Sequence, residues 1–83
     1  MTVTEEKMEK IRRLEKLHRV KVGERVTLRY RAEMRSEEVD SLNIRELRGV
    51  VYQLYEHFVV IKTSFGTHPS YNWMDFNRWR VQQ

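Results

Sequence analysis

Two groups of residues in this chain have types and spacing suited to chemistry, and both suit the capture of anions rather than the making of bonds. Arg25, Arg29 and Arg31 fall on alternate positions of one stretch, and Arg78-Trp79-Arg80 follows closely on Tyr71 and Trp73. A guanidinium is planar and donates bidentate hydrogen bonds, which fits phosphate or carboxylate. Rings interleaved with arginines are also how single-stranded nucleic acid is held, each stacked base contributing ~1–3 kcal/mol. A competing use for the same rings is structural. Eight of the nine aromatics lie between Tyr52 and Trp79, and a small barrel needs large side chains to fill its middle. Most of the set is expected inside on that ground. Trp79, between two arginines, fits either a core plug or an exposed stacking platform.

Bond-making chemistry finds little support. His18, His57 and His68 are 39 and 11 residues apart and there is no cysteine, so no zinc spacing exists and no metal site is expected. The pairs Glu5/Glu6 and Glu37/Glu38 sit among charges, without the burial that raises a carboxyl into the acid–base range. The three glycines are dispersed rather than gathered in a phosphate loop, and Ser64 and Ser70 lack a nucleophile elbow. The expectation is a protein without catalytic residues or cofactor.

With 83 residues, 40% hydrophobic and 34% charged, one domain spanning 1–83 is the ceiling, and it buries roughly 60–65% of its unfolded surface. No apolar run approaches the ~18 residues of a membrane span, and charges fill the place of a signal peptide's apolar core. The expected location is the cytoplasm. The formal net charge is +4, with +3 of it in residues 1–22, and eleven of the sixteen basic residues are arginine.

These residues must be positioned by a helix and a curled sheet. Thr2-Val3-Thr4-Glu5 fits a capping box, with Thr4 as the alternative cap. Met8, Ile11, Leu14, Leu17 and His18 then form an apolar stripe at helical spacing, predicting a helix over 4–19. Glu6–Lys10, Glu9–Arg13 and Glu15–Arg19 have the favourable acid-before-base order. The stripe suits docking on the chain's own sheet or on a second copy. Beyond Val20 the period becomes two: Val26, Leu28 and Tyr30 alternate with Arg25, Thr27, Arg29 and Arg31, a half-buried strand with a cationic outer face. Residues 32–44 lose alternation and read as a long acidic loop, extended or carrying one helical turn. A second strand runs over 45–55, with a bulge or bend at Gly49. A turn at Glu56 and His57 leads to a third strand over 58–65, and Gly66-Thr67 turns the chain again. Tyr71 and Trp73 share a face of a fourth strand. One helical turn over 74–77 precedes a fifth strand over 78–81.

Gly49-Val50-Val51, Tyr55-Glu56-His57-Phe58-Val59-Val60 and Ser70-Tyr71-Asn72-Trp73-Met74-Asp75-Phe76 resemble segments of the Veg family of small bacterial proteins. That family has a Gly-Val-Leu strand, an aromatic turn into Phe-Val-Val, and a Ser-Tyr-Ser-Tyr-Ala-Asp segment. Gly23-Glu24-Arg25-Val26-Thr27-Leu28 is similar to its Gly-Lys-Arg-Val-x-Leu start, which also follows a short helix. The resemblance implies a non-enzymatic regulatory barrel of a kind associated with biofilm formation. It departs over 32–44, where the family's loop is short and basic, so that loop's role is not carried over. Gly49, Val51, Leu54 and Phe58 also match the apolar frame of Sm and Hfq-like rings. Tyr55 and Val59, however, stand where those rings place an acid and an asparagine.

The fold expected is thus mostly β, a five-stranded SH3-like or Sm-like small barrel over 20–83 with an N-terminal α-helix. Its function is expected to be regulatory, through nucleic acid or a regulatory protein bound by Arg25, Arg29, Arg31, Tyr71, Trp73, Arg78, Trp79 and Arg80. The alternative is a purely protein-binding homo-oligomeric adaptor. A homodimer and no membrane are the further expectations.

Overall fold

The computed structural model describes residues 2–31 and 44–81. Helix α1 covers Val3–His18. Thr2 caps it, its hydroxyl oxygen accepting the Glu5 N–H at 3.2 Å, so the first of the two candidate caps is used. Glu5 and Glu6 lie at the positive end of the helix dipole, and Lys16 and His18 at the negative end. Arg19 ends the helix in the left-handed region with φ 54°, and its N–H returns to the Glu15 carbonyl. The Glu15 carboxylate accepts the Val22 N–H at 2.9 Å. It therefore steers the chain out of the helix, rather than pairing with Arg19 along it.

Four strands follow: β1 (Arg25–Arg31), β2 (Ile44–Leu54), β3 (Phe58–Thr63) and β4 (Ser70–Asn72), antiparallel in the order β1-β2-β3-β4. Helix α2, Trp73–Trp79, closes the described chain. The architecture is mostly β, a curled four-stranded half-barrel with two helices. No helix among the described residues is long and apolar enough to cross a membrane.

The core forms where the inward rows of the sheet meet the two helices. Val26, Leu28, Val51, Leu54, Val59 and Ile61 come from the strands, Trp73 and Phe76 from α2, Leu14 from α1, and Val20 from the segment that follows α1. Only the second half of α1 takes part. Ile11 and Leu14 pack inward, whereas Met8 is half exposed and Leu17 is 69% exposed. Of the ion pairs expected along α1, none forms among the described residues. Lys10 and Arg13 reach instead to Glu56 in the β2–β3 turn, at 3.4 and 4.0 Å, and anchor the helix across the fold.

Three expectations need correction. The bulge in β2 falls between Val51 and Gln53, not at Gly49. Gly49 serves close approach, because a Cβ there would stand 2.5 Å from Ile61 Cγ2 and 2.7 Å from the Lys62 carbonyl. Trp73 is not in a strand with Tyr71: the Asn72 side chain accepts the Asp75 N–H at 2.8 Å and starts α2 at Trp73. Consequently 78–81 is no fifth strand. Arg78 and Trp79 finish α2, and strand pairing shrinks to one bridge, Leu28 with Arg80, beside a Val81 N–H bond to the Thr27 carbonyl at 2.8 Å. The anticipated loop over 32–44 lies outside the described residues except for Ile44, which opens β2.

Candidate functional site

Strand pairing decides which charges share a face. In β1 the burial alternates so that Val26, Leu28 and Tyr30 point inward, leaving Arg25, Arg29 and Arg31 outside and exposed. Arg25 is opposite Val50, Thr27 opposite Arg48, and Arg29 opposite Glu46. Val50 in turn is opposite Lys62 on β3. Residues directly opposite share a face, so Arg25, Arg29, Arg31, Arg48 and Lys62 lie on the outer side of one three-stranded surface. Along β1, side chains two residues apart are separated by ~6.8 Å. That spacing lets neighbouring guanidiniums meet successive anionic groups of an extended polymer. An open depression of roughly 820 Å³ runs over this region between Arg25, Thr27, Arg48, Val50, Lys62 and Ser64.

One carboxylate belongs to the same face. Glu46 accepts from Arg48 Nε at 2.8 Å and lies 3.5 Å from Arg29 Nε. The hydrogen bond from Arg48 is the main cause holding this carboxyl below its usual range. Partial desolvation opposes it, and the charges of Arg48 and Arg29 add to it. Both guanidiniums meet Glu46 through Nε, the atom nearest the stem, so the carboxylate aligns two arginines side by side.

The second expected cluster does not assemble. Trp73 is buried; its indole N–H donates to the Tyr55 carbonyl at 2.7 Å, and its ring stacks on His18 with centroids 3.6 Å apart. Tyr71 and Trp79 pack against the core, Trp79 contacting Tyr30 at 5.0 Å and Tyr71 at 6.0 Å. Burial, then the neighbouring Tyr30, raises the Tyr71 hydroxyl above its ordinary pKa. Arg80 is engaged too. Its Nη atoms donate to the carbonyls of His18 at 3.1 Å and Arg19 at 3.3 Å, and its guanidinium lies 5.1 Å from the centre of the Phe76 ring. It satisfies carbonyls that the end of α1 leaves open. Arg78 alone of that triplet is exposed.

The structure thus brings Arg25, Arg29 and Arg31 together, buries Trp73, and packs the partly exposed Tyr71, Trp79 and Arg80 against the core and the end of α1. Arg48 and Lys62 were missed, although both sit at outward positions of alternating strands; the missing information was register. Phe65 was also missed. Assigned to the third strand, it actually occupies the β3–β4 turn and is 91% exposed. Among the described residues, no three His, Asp or Glu side chains gather in a way that could hold a metal ion.

No protein-family model, curated protein or solved structure matches this chain.

Proposed function

We propose that this protein is a small, non-enzymatic regulatory protein that binds nucleic acid by its phosphates across the outer face of β1, β2 and β3. The observation that carries the reading is the register, which sets five cations, Arg25, Arg29, Arg31, Arg48 and Lys62, on one face with Glu46 between two of them. Cations in an open, shallow depression suit a polyanion's backbone better than a small molecule, which prefers an enclosed apolar cleft. Kinship with the Veg family and an SH3-like or Sm-like barrel belong to this proposal, as does action in the cytoplasm.

The test is fluorescence anisotropy at low salt with labelled single-stranded and duplex oligonucleotides. Saturable binding is expected, and joint reversal of Arg25, Arg48 and Lys62 to Glu removes it. Reversal of Arg78 alone leaves it within about twofold, since a single outlying charge adds little. Absence of saturable binding by the native chain would end the reading.

A homodimeric adaptor is the second reading. It draws on the first half of α1, where Val3 and Met8 stay exposed, and on a groove of about 410 Å³ lined by Ile11, Val22 and Leu54. Light scattering decides it: a monomer mass at high protein concentration removes the second copy.

A further inference from the structure

Phe65 is a large ring that the fold itself does not use. It sits in the turn between β3 and β4, directly after Ser64, which lines the cationic depression. The turn is tightly braced. The Gly66 N–H donates to the Thr63 carbonyl at 3.0 Å, with Gly66 at φ +82°. The Thr63 N–H donates to the Thr67 carbonyl at 3.0 Å, and the two threonine hydroxyls meet at 2.6 Å. Thr63 is buried, so the brace is tied to the core. Nothing in this turn requires an aromatic side chain, because a small polar residue would leave every one of these bonds in place. A single exposed apolar residue is ordinary on a protein surface. Here the ring is held by a braced turn one residue beyond Ser64, which lines the depression with Lys62 and Arg48, and the outward positions Thr27, Val50 and Ser64 supply no other ring.

We infer that Phe65 is a base-stacking residue and that the ligand of this face is single-stranded nucleic acid. This inference rests on the phosphate-binding reading above and narrows it. Arg25, Arg48 and Lys62 hold the backbone, and an unpaired base lies on the Phe65 ring. A ring presented on a preordered turn loses little conformational freedom on binding. Every base offers a π-face, so the contact is tolerant of sequence. In a duplex the faces of the bases are already stacked and the ring finds no partner.

The experiment compares the native chain with Phe65→Ala and Phe65→Tyr. It uses a single-stranded oligonucleotide bearing 2-aminopurine, a duplex of the same length, and anionic phospholipid vesicles. The ring makes no core contact, so F65A keeps the native melting temperature. F65A is expected to weaken single-strand binding by roughly five- to a hundredfold, the range of one lost base stack. It should also abolish the 2-aminopurine quench and leave duplex affinity within about twofold. F65Y restores both signals. If the native chain binds oligonucleotides and F65A binds the single strand equally well, the inference is overturned while the phosphate-binding face stands. If F65A loses only vesicle binding, the ring is a lipid contact and the inference is likewise overturned. If the native chain binds no oligonucleotide, both readings fall together.

Discussion

At the scale of single residues, two side chains from opposite ends of the sequence hold the helices together. His18 stacks on Trp73, lies 3.3 Å through Nδ1 from the Asn77 amide nitrogen, and has Arg80 beside it. Its pKa is lowered, first by burial and then by the Arg80 charge. The sign follows from linkage. The folded state prefers neutral His18, while the unfolded chain takes up a proton near the ordinary value of ~6.5. The stabilisation is therefore complete above ~6.5 and is lost as pH falls through that value towards the lowered folded pKa. Melting curves between pH 7.5 and 5 should show a steeper acid-side loss for the native chain than for His18→Phe, which keeps a ring against Trp73 but cannot titrate. Identical pH profiles would contradict this. Arg80→Met keeps the aliphatic stem and removes two donors to helix-end carbonyls. It should cost about 1–3 kcal/mol in urea unfolding while leaving oligonucleotide affinity unchanged. A fall in affinity without a fall in stability would return Arg80 to the binding surface.

At the scale of elements, β2 and β3 come close because Gly49 has no side chain. Gly49→Ala must push apart Ile61 and the Lys62 backbone, which the sheet cannot do by turning one flexible side chain. About 1–3 kcal/mol of destabilisation is expected from overpacking, read from the urea midpoint; no change would mean that the strands separate freely. Gly66→Ala meets no clash but holds an L-residue at positive φ, and should cost about 1–2 kcal/mol. Elements whose signals are local were legible in the sequence. The cap at Thr2, the alternation of β1 and the turn at Glu56 and His57 all lie where their own neighbours dictate. Helix α2 was legible only as the single turn over 74–77; its full extent was not, because Tyr71, Trp73, Phe76 and Trp79 fit a period of two at their start and a step of three thereafter. The Asn72 cap and the need to bury both Trp73 and Phe76 decide for the helix. Arg80 was misread for a related reason. In sequence it reads as a free cation beside a tryptophan, yet its partners at the end of α1 lie 61 and 62 positions away.

At the scale of the whole molecule, the fold separates rings from charges. The rings of Trp73, Phe76, Tyr71 and Trp79 fill or flank the core, while Arg25, Arg29, Arg31, Arg48 and Lys62 occupy the opposite side of the sheet. Only Arg45, opposite Tyr30, departs from them among the cations of the described strands. Three of the five cations, Arg25, Arg29 and Arg31, could be read from the alternation of β1. Arg48 and Lys62 could not, since their place depends on which residues pair across strands. The dependence of affinity on salt measures this surface most directly, because each phosphate neutralised releases counterions and adds ~0.7 to the log–log slope for a single strand. A phosphate-binding outer face predicts a slope of roughly 3–4 for the native chain, with a drop of ~0.7 for each of Arg25→Gln, Arg48→Gln and Lys62→Gln and no drop for Arg78→Gln. A slope near zero, or one that those three substitutions leave untouched, would contradict it.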